Sequence, residues 1–383
     1  MHILTTSQYS ALQAFRKELH ANPGVSGEEH KTAERVLAFL ASCSPNAVVS
    51  GLGGTGIVAT FDSGKPGPCL LFRAELDALP IQEVNSFAYA SKVHGVSHKC
   101  GHDGHTTILL GLAQQLHEKR PEKGSVLLLF QPAEEDGRGA KAMLADPHFA
   151  HFKPDFVFAF HNLPGYPLHQ VVYREGSFSA AVTSVIFHFF GKTAHAAEPE
   201  HGLNPALSIA HILQGCGKLS NNQPERDDFT LITPVQMEMG EIAYGISAGY
   251  GELRLTLRCW SQENMEKLSE EVLRLAEDAS AKYGLYITHE WTHSFNAIEN
   301  NPEAVGAVYG AAEQLGLSIH KRAYPFKWGE DFGLFTQHFP GAMFGIGSGE
   351  TCPALHNPDY DFPDELLDTG VALFHQLCKD ILS

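Results

Sequence analysis

Apolar residues recur at spacings of three and four over residues 8–19 and again over 28–42 (EEHKTAERVLAFLAS), which predicts two amphipathic helices separated by the breaker Asn22-Pro23-Gly24. The pattern then shortens into nearly continuous apolar runs: GIVATF at 56–61, PCLLFRAEL at 68–76, SVLLLF at 125–130, DFVFAF at 155–160 and AMFGIG at 342–347. Runs of that length read as strands, and their lack of polar alternation predicts burial on both faces. Between the second and third run, HTTILLGLAQQLHEK carries Ile108, Leu112 and Leu116 along one helical face. Strand and helix in alternation predict an α/β domain with a mostly parallel sheet flanked by helices.

Residues 178–294 follow another order: strand AVTSVIFHFF, helix NPALSIAHILQGCGKL, strands FTLITPVQMEM and GELRLTLRCW, helix ENMEKLSEEVLRLAEDASAKYG, strand LYITHEWTHS. β-α-β-β-α-β is the pattern of a ferredoxin-like α+β unit. The expectation is a discontinuous first domain, 1–177 and 295–383, with a second domain inserted at 178–294. A chain of 383 residues is long enough for two cores.

Charge narrows the partners. Lys plus Arg total 27 against 44 Asp plus Glu, a formal charge of -17, so a phosphate backbone is repelled and no nucleic-acid partner is expected. The start, MHILTTSQYS, has neither the basic segment nor the apolar run of a signal peptide, and no stretch of about 18 apolar residues occurs, so no membrane partner is expected and the chain reads as cytoplasmic. Seven scattered cysteines argue against a disulfide framework.

Ligand chemistry concentrates in HKCGHDGHTT, residues 98–107. Gly101 and Gly104 would each weaken a helix interior by about 1 kcal/mol, so this segment reads as a loop, with the helix beginning near His105. In an open α/β sheet, ligands gather beyond the carboxyl ends of the strands. Glu134 and Glu135 follow the run 125–130 through a turn, His161 follows 155–160, His356 follows 342–347, and Cys100 and His102 precede a helix. A thiolate, three imidazoles and one or two carboxylates at one sheet end suit zinc, manganese, cobalt or nickel better than calcium or magnesium. Five ligands exceed the four of a closed zinc site and point to a two-metal site. GLGGTG at 51–56 fits a dinucleotide fingerprint, but a strand follows it, so it reads as a turn. Phe326 and Trp328 read as core packing rather than as an acyl pocket.

The strings RAELDALP (73–80), HKCGHDGHTT (98–107), LFQPAEEDGRGA (129–140), FHNLPG (160–165), GKTAHAAEP (191–199), GEDF (329–332) and LHNPDYDF (355–362) resemble, in order, the motifs of the M20 metallopeptidase family. They match its amidohydrolase branch of aminoacylases, hippurate hydrolases, N-acetyldiaminopimelate deacetylases and indole-acetyl-amino-acid hydrolases. The resemblance implies that Cys100, His102, Glu135, His161 and His356 bind two divalent metals, that Glu134 is the general base toward a metal-bridged water, and that Asp77 supports the site from behind. It implies that His98 and His105 are not ligands. It also makes the first domain catalytic and the insertion a lid that forms a homodimer contact, with lid residues His195 near the reacting carbonyl and Arg258 on a substrate carboxylate. Two departures stand out: Glu75 where members usually carry Asp, and Gly245 where they carry an Asn that binds the substrate carboxylate. The expected activity is hydrolysis of the amide of a small N-acyl amino acid or conjugate. Two other readings stay open on the residues, a cysteine hydrolase or transferase using Cys100 and a non-catalytic acyl-amino-acid binder.

Overall fold

The computed structural model describes residues 3–383. Its helices are α1 (Thr6–Ala21), α2 (His30–Ser42), α3 (His102–Glu118), α4 (Gly139–Ala145), α5 (Ala206–Leu219), α6 (Gln262–Lys282), α7 (Pro302–Gln314), α8 (Phe332–His338) and α9 (Leu366–Leu382). The first strands are β1 (Ala47–Leu52), β2 (Gly56–Asp62), β3 (Cys69–Glu75), β4 (Ser125–Gln131), β5 (Phe156–Leu163), β6 (Val171–Tyr173), β7 (Gly176–Ser179) and β8 (Ala181–Phe190). There follow β9 (Ala194–His195), β10 (Thr230–Met239), β11 (Ile246–Ser247), β12 (Tyr250–Cys259), β13 (Tyr286–Phe295), β14 (Ile298–Asn300), β15 (Ile319–Lys321) and β16 (Gly341–Gly347). No helix among the described residues is long and apolar enough to cross a membrane.

Two compact units form: Met1–Phe178 with Ile298–Ala323 and Glu330–Ser383, and Ser179–Ala297 with Tyr324–Gly329. The sequence reading left 324–329 with the first domain. It belongs with the second because the Ala180 N–H donates to the Phe326 carbonyl and Arg258 Nε donates to the Lys327 carbonyl.

In the first unit an eight-stranded sheet runs β1-β2-β4-β3-β5-β16-β6-β15. Its centre, β4-β3-β5-β16, is parallel, while β1 and β2 pair antiparallel at one side and β6 runs antiparallel to β16. The central strands are buried along nearly their whole length, which is why their sequences lack polar alternation. Rings of Phe72, Phe158, Phe160, Phe344 and Phe374 interlock between this sheet and α9. The glycine-rich 53–55 segment is the turn from β1 to β2. In the second unit the strand order is β10-β12-β8-β13, all antiparallel, with α5 and α6 packed on the sheet. That is the ferredoxin-like arrangement.

Helix α3 is buried around most of its circumference, against the sheet, α1 and α9. Its first turn is pinned by charge. Arg16 of α1, fully buried, reaches Asp103 at 3.3 Å, Asp361 at 2.7 Å and Asp364 at 2.6 Å. His20, one turn further, meets Asp103 at 2.8 Å and Glu83 at 3.0 Å, and Lys99 meets the same Glu83 at 2.5 Å. Burial alone would lower the His20 imidazole, but its bonds to Asp103 and Glu83 hold it up at about 9.

A pH dependence follows from that shift. The folded value lies above the unfolded one of about 6.5, so the stabilisation is complete below pH ~6.5 and lost as pH rises to about 9. The urea midpoint should fall across that window, and His20→Gln should flatten the fall; an equally steep fall in the variant would remove His20 as its source.

Candidate metal centre

The parallel alignment of β4, β3, β5 and β16 brings four strand ends to one edge of the first unit. Asp77 lies two residues past the end of β3, Glu134 and Glu135 past β4, and His356 beyond β16. His161 lies inside β5, opposite Gly345, rather than after the strand as its apolar run suggested. Helix α3 starts at His102, not near His105, so the ligand-rich string is part loop and part first helical turn. Its glycines serve close packing. Gly101 has φ 93° and a Cβ there would stand 2.5 Å from Asn162 Oδ1; a Cβ on Gly104 would stand 2.4 Å from the Phe362 ring. The helical weakness of Gly104 is confined to the first turn and offset by that contact.

The side chains converge. Cys100 Sγ is 3.4 Å from His161 Nε2. His102 Nε2 lies 3.8 Å from Glu135 Oε1 and 3.9 Å from Glu134 Oε2, and His356 Nε2 lies 3.7 Å from Glu135 Oε2. Cys100, His102 and His161 form one group able to hold a cation, Cys100, Glu135 and His356 a second, and His102, Glu134 and Glu135 a third. His102 and His161 each give their Nδ1 proton to a backbone carbonyl, of Asp77 at 3.0 Å and of Asn162 at 2.8 Å, which turns both Nε2 atoms inward. Asp77 also accepts from the Glu135 N–H at 3.0 Å and from Ser26 Oγ at 2.7 Å. Asp77 thus sets the position of two candidate ligands at once.

The donor set fits divalent cations of the zinc and manganese kind. His102 Nε2 and Glu135 Oε1 are buried and accept no hydrogen bond from the protein, although they face each other. Burial raises the Glu135 carboxyl to about 7, and burial with the charges of Glu330 and Glu135 pushes Glu134 well above the usual carboxylate range. Burial together with Glu135 and Glu134 likewise keeps the Cys100 thiol protonated. A bound cation reverses each of these preferences, because its charge stabilises the deprotonated ligand.

The sequence pattern of peptidase family M20/M25/M40 matches residues 71–380. The chain belongs to that family. It is 28% identical over 376 residues to the N-acetylcysteine deacetylase of Bacillus subtilis (strain 168), covering 98% of this chain and 97% of that one. It is 29% identical over 360 residues to the N-acetyldiaminopimelate deacetylase of Oceanobacillus iheyensis, covering 94% and 96%. Among solved structures, a dinuclear metal-binding peptidase of the M20 family from Bacillus subtilis superposes with a TM-score of 0.83 at 26% identity over 99% of each chain. This M20 chain is a hydrolase acting on amide bonds.

In the second unit of this M20 hydrolase, His195 is exposed in β9, where its Nδ1 accepts from the Ala197 N–H at 3.0 Å. Arg258 is half-buried on β12 with its Nε tied to the Lys327 carbonyl at 2.9 Å. Gly245 accepts from the Ala196 N–H at 2.9 Å, and a Cβ there would meet nothing within 4 Å. Phe326 and Trp328 stack on each other with centroids 4.8 Å apart. His105 is engaged on both ring nitrogens, by Glu75 at 2.7 Å and Asn162 at 2.6 Å, although with Glu75 and His102 it also has the spacing of a cation site.

Sequence reasoning missed a second layer: buried Glu29, which receives the Gly27 and Ala133 N–H groups and Thr55 Oγ, and buried Arg73, which gathers Glu75, Gln131, Glu330 and Asp331. The local signals were a charged pair, Arg-Ala-Glu, closing an otherwise apolar strand, and the string GEDF that holds Glu330 and Asp331. Gly101→Ala should destabilise the first unit by about 1–3 kcal/mol in urea unfolding, because both the positive φ and the Asn162 contact oppose a methyl group. An unchanged midpoint would show that the turn relaxes freely.

Proposed function

We propose that this M20 chain hydrolyses the amide of N-acyl amino acids or similar small conjugates, with two divalent cations held by Cys100, His102, Glu135, His161 and His356 and with Glu134 as general base. The convergence of a thiol, three imidazoles and paired carboxylates at the carboxyl end of parallel strands carries this reading. The deacetylases to which the chain is similar supply the substrate class. Cys100 serves as a ligand rather than a nucleophile, since a buried thiol among carboxylates is held protonated.

Cations bound there supply Lewis acidity, lowering the pKa of water toward ~7 and polarising a carbonyl. Glu134, within 3.9 Å of His102 and shielded from solvent, takes the proton of the attacking water and returns it to the leaving amine. Asp77 keeps His102 and the Glu135 backbone in place during that transfer. His195, whose Nδ1 is occupied as an acceptor, carries its proton on Nε2 and offers it where negative charge develops, a contribution of roughly 2.7–4 kcal/mol for such a donor. Arg258 has Nε engaged and directs its terminal nitrogens to the substrate carboxylate.

The inserted unit serves as lid and homodimer contact. Its edge strand β10 exposes Val235 (63%), Met237 (60%) and Met239 (40%), and the following loop exposes Ile242 and Tyr244 (98% each), a run of apolar surface that a second copy would cover. The seven unpaired cysteines suit a reducing compartment such as the cytoplasm.

Amine release from a panel of N-acetyl, N-benzoyl and longer N-acyl amino acids, with Mn²⁺, Zn²⁺, Co²⁺ or Ni²⁺ supplied, tests the reading; no release from any member would defeat it. Chelation should abolish turnover and added metal restore it. Glu134→Gln should retain metal and lose about 10²–10⁴-fold in kcat; equal activity would remove Glu134 from the role of base. Met237→Lys should shift the sedimentation coefficient from dimer to monomer, and an unchanged value would place the contact elsewhere.

A further inference from the structure

Glu134 is held at both ends. Its backbone follows Ala133, an alanine at φ 48° that is fixed there because its N–H donates to Glu29 Oε1 at 2.9 Å and its carbonyl accepts from the Gly139 N–H at 2.9 Å. The Glu134 side chain, at its far end, accepts from the Asp331 N–H at 3.4 Å. What fixes Asp331 is Arg73, from β3. The guanidinium donates from Nη2 to Asp331 Oδ1 and Glu330 Oε1, both at 2.8 Å, from Nε to Gln131 Oε1 at 2.9 Å, and from Nη1 to Glu75. Gln131 Nε2 returns to Asp331 at 2.8 Å, and the Ala140 N–H closes the ring at 2.9 Å. All of these side chains are buried to within a few per cent.

Glu134, Glu330 and Asp331 by themselves have the spacing of a cation site. Arg73 already pairs with two of the three, so the cluster holds a guanidinium in the place of a metal. Asp331 and Glu330 are also the first residues after 324–329, the segment that clusters with the second unit. The clamp therefore fixes the point where the chain re-enters the first unit, and the amide at that point ends on Glu134.

We propose that Arg73 is a positioning residue for Glu134: by clamping Glu330 and Asp331 it aims the Asp331 N–H at the Glu134 carboxylate and fixes the orientation of that carboxylate in the site. Arg73 touches neither water nor substrate in this role. The proposal rests on Glu134 as the base, and the fork geometry is what matters, because one guanidinium reaches Glu75, Gln131, Glu330 and Asp331 together. A lysine keeps the charge but offers a point donor in place of the fork.

The test uses Arg73→Lys in the metal-loaded full-length chain. Its crystal structure should show the Glu134 side chain displaced or spread over several rotamers, while two metals per chain remain by elemental analysis and KM for an N-acyl amino acid stays within about two-fold. kcat should fall by about 10–100-fold, the range for losing a group that orients a site residue. In a Glu134→Gln background the same substitution should have no further effect, since both act on one carboxylate. Glu134 found in its original place in Arg73→Lys, or metal lost from the variant, overturns the proposal, and the crystallographic readout holds even if the wild type releases no amine and the functional reading fails. If Arg73→Lys does not fold, Asp331→Asn, which keeps the side-chain volume and removes the charge that pairs with Arg73, is read by the same criteria.

Discussion

Buried negative charge at one end of a parallel sheet is the constraint on which this protein is organised. Glu75, Asp77, Glu134, Glu330 and Asp331 are each within a few per cent of full burial, and Glu135 and the Cys100 thiol stand beside them. Carboxylates at such density are strongly unfavourable unless each finds a compensating charge or donor. Two kinds of compensation divide the cluster. Arg73 serves Glu75, Glu330 and Asp331, while backbone amides, Ser26 and His102 serve Asp77. Glu134, Glu135 and, by burial that outweighs Arg73, Asp331 are left with raised proton affinity, and bound cations compensate the first two within the proposed function.

The same constraint shapes the scaffold around the site. Pinning α1 to α3 through Arg16, His20 and Asp103 fixes the segment that carries Cys100 and His102. Backbone carbonyls of Asp77 and Asn162 choose the tautomers of His102 and His161. His105, which by residue type is as good a ligand as its neighbours, is converted into a strut between Glu75 and Asn162, and Asn162 in turn meets the Tyr360 hydroxyl. Preorganisation of this kind reduces the ordering entropy lost when a cation or substrate binds.

Glu75, where the resemblance leads to an expectation of Asp, has its longer side chain fully engaged. Its two oxygens reach different partners, Arg73 and the His105 ring, so the side chain links the clamp under Glu134 to the layer behind His161. Gly245 is a different kind of departure. It leaves open space on the second unit, and no side chain of the described residues fills the volume a Cβ would occupy.

Hydrophobic periodicity, which is local, was enough to mark the central strands, α1 and α2, and the β-α-β-β-α-β order of the second unit, because burial on one face or two writes itself directly into neighbouring residues. The rule that ligands gather at strand ends and helix starts placed Cys100, His102, Glu134, Glu135, His161 and His356 at one edge from sequence alone, and the family resemblance added Asp77. The first turn of α3 was misread, since the glycines that seemed to forbid a helix are required by Asn162 and Phe362, residues remote in sequence. Segment 324–329 joined the second unit for the same kind of reason, through the Arg258 side chain of β12 and the backbone of Ala180. Arg73 and Glu330 stand in the quoted motif strings without a role, and Glu29 outside them: charge compensation acts through space across several strand ends, and only the folded chain brings its partners together.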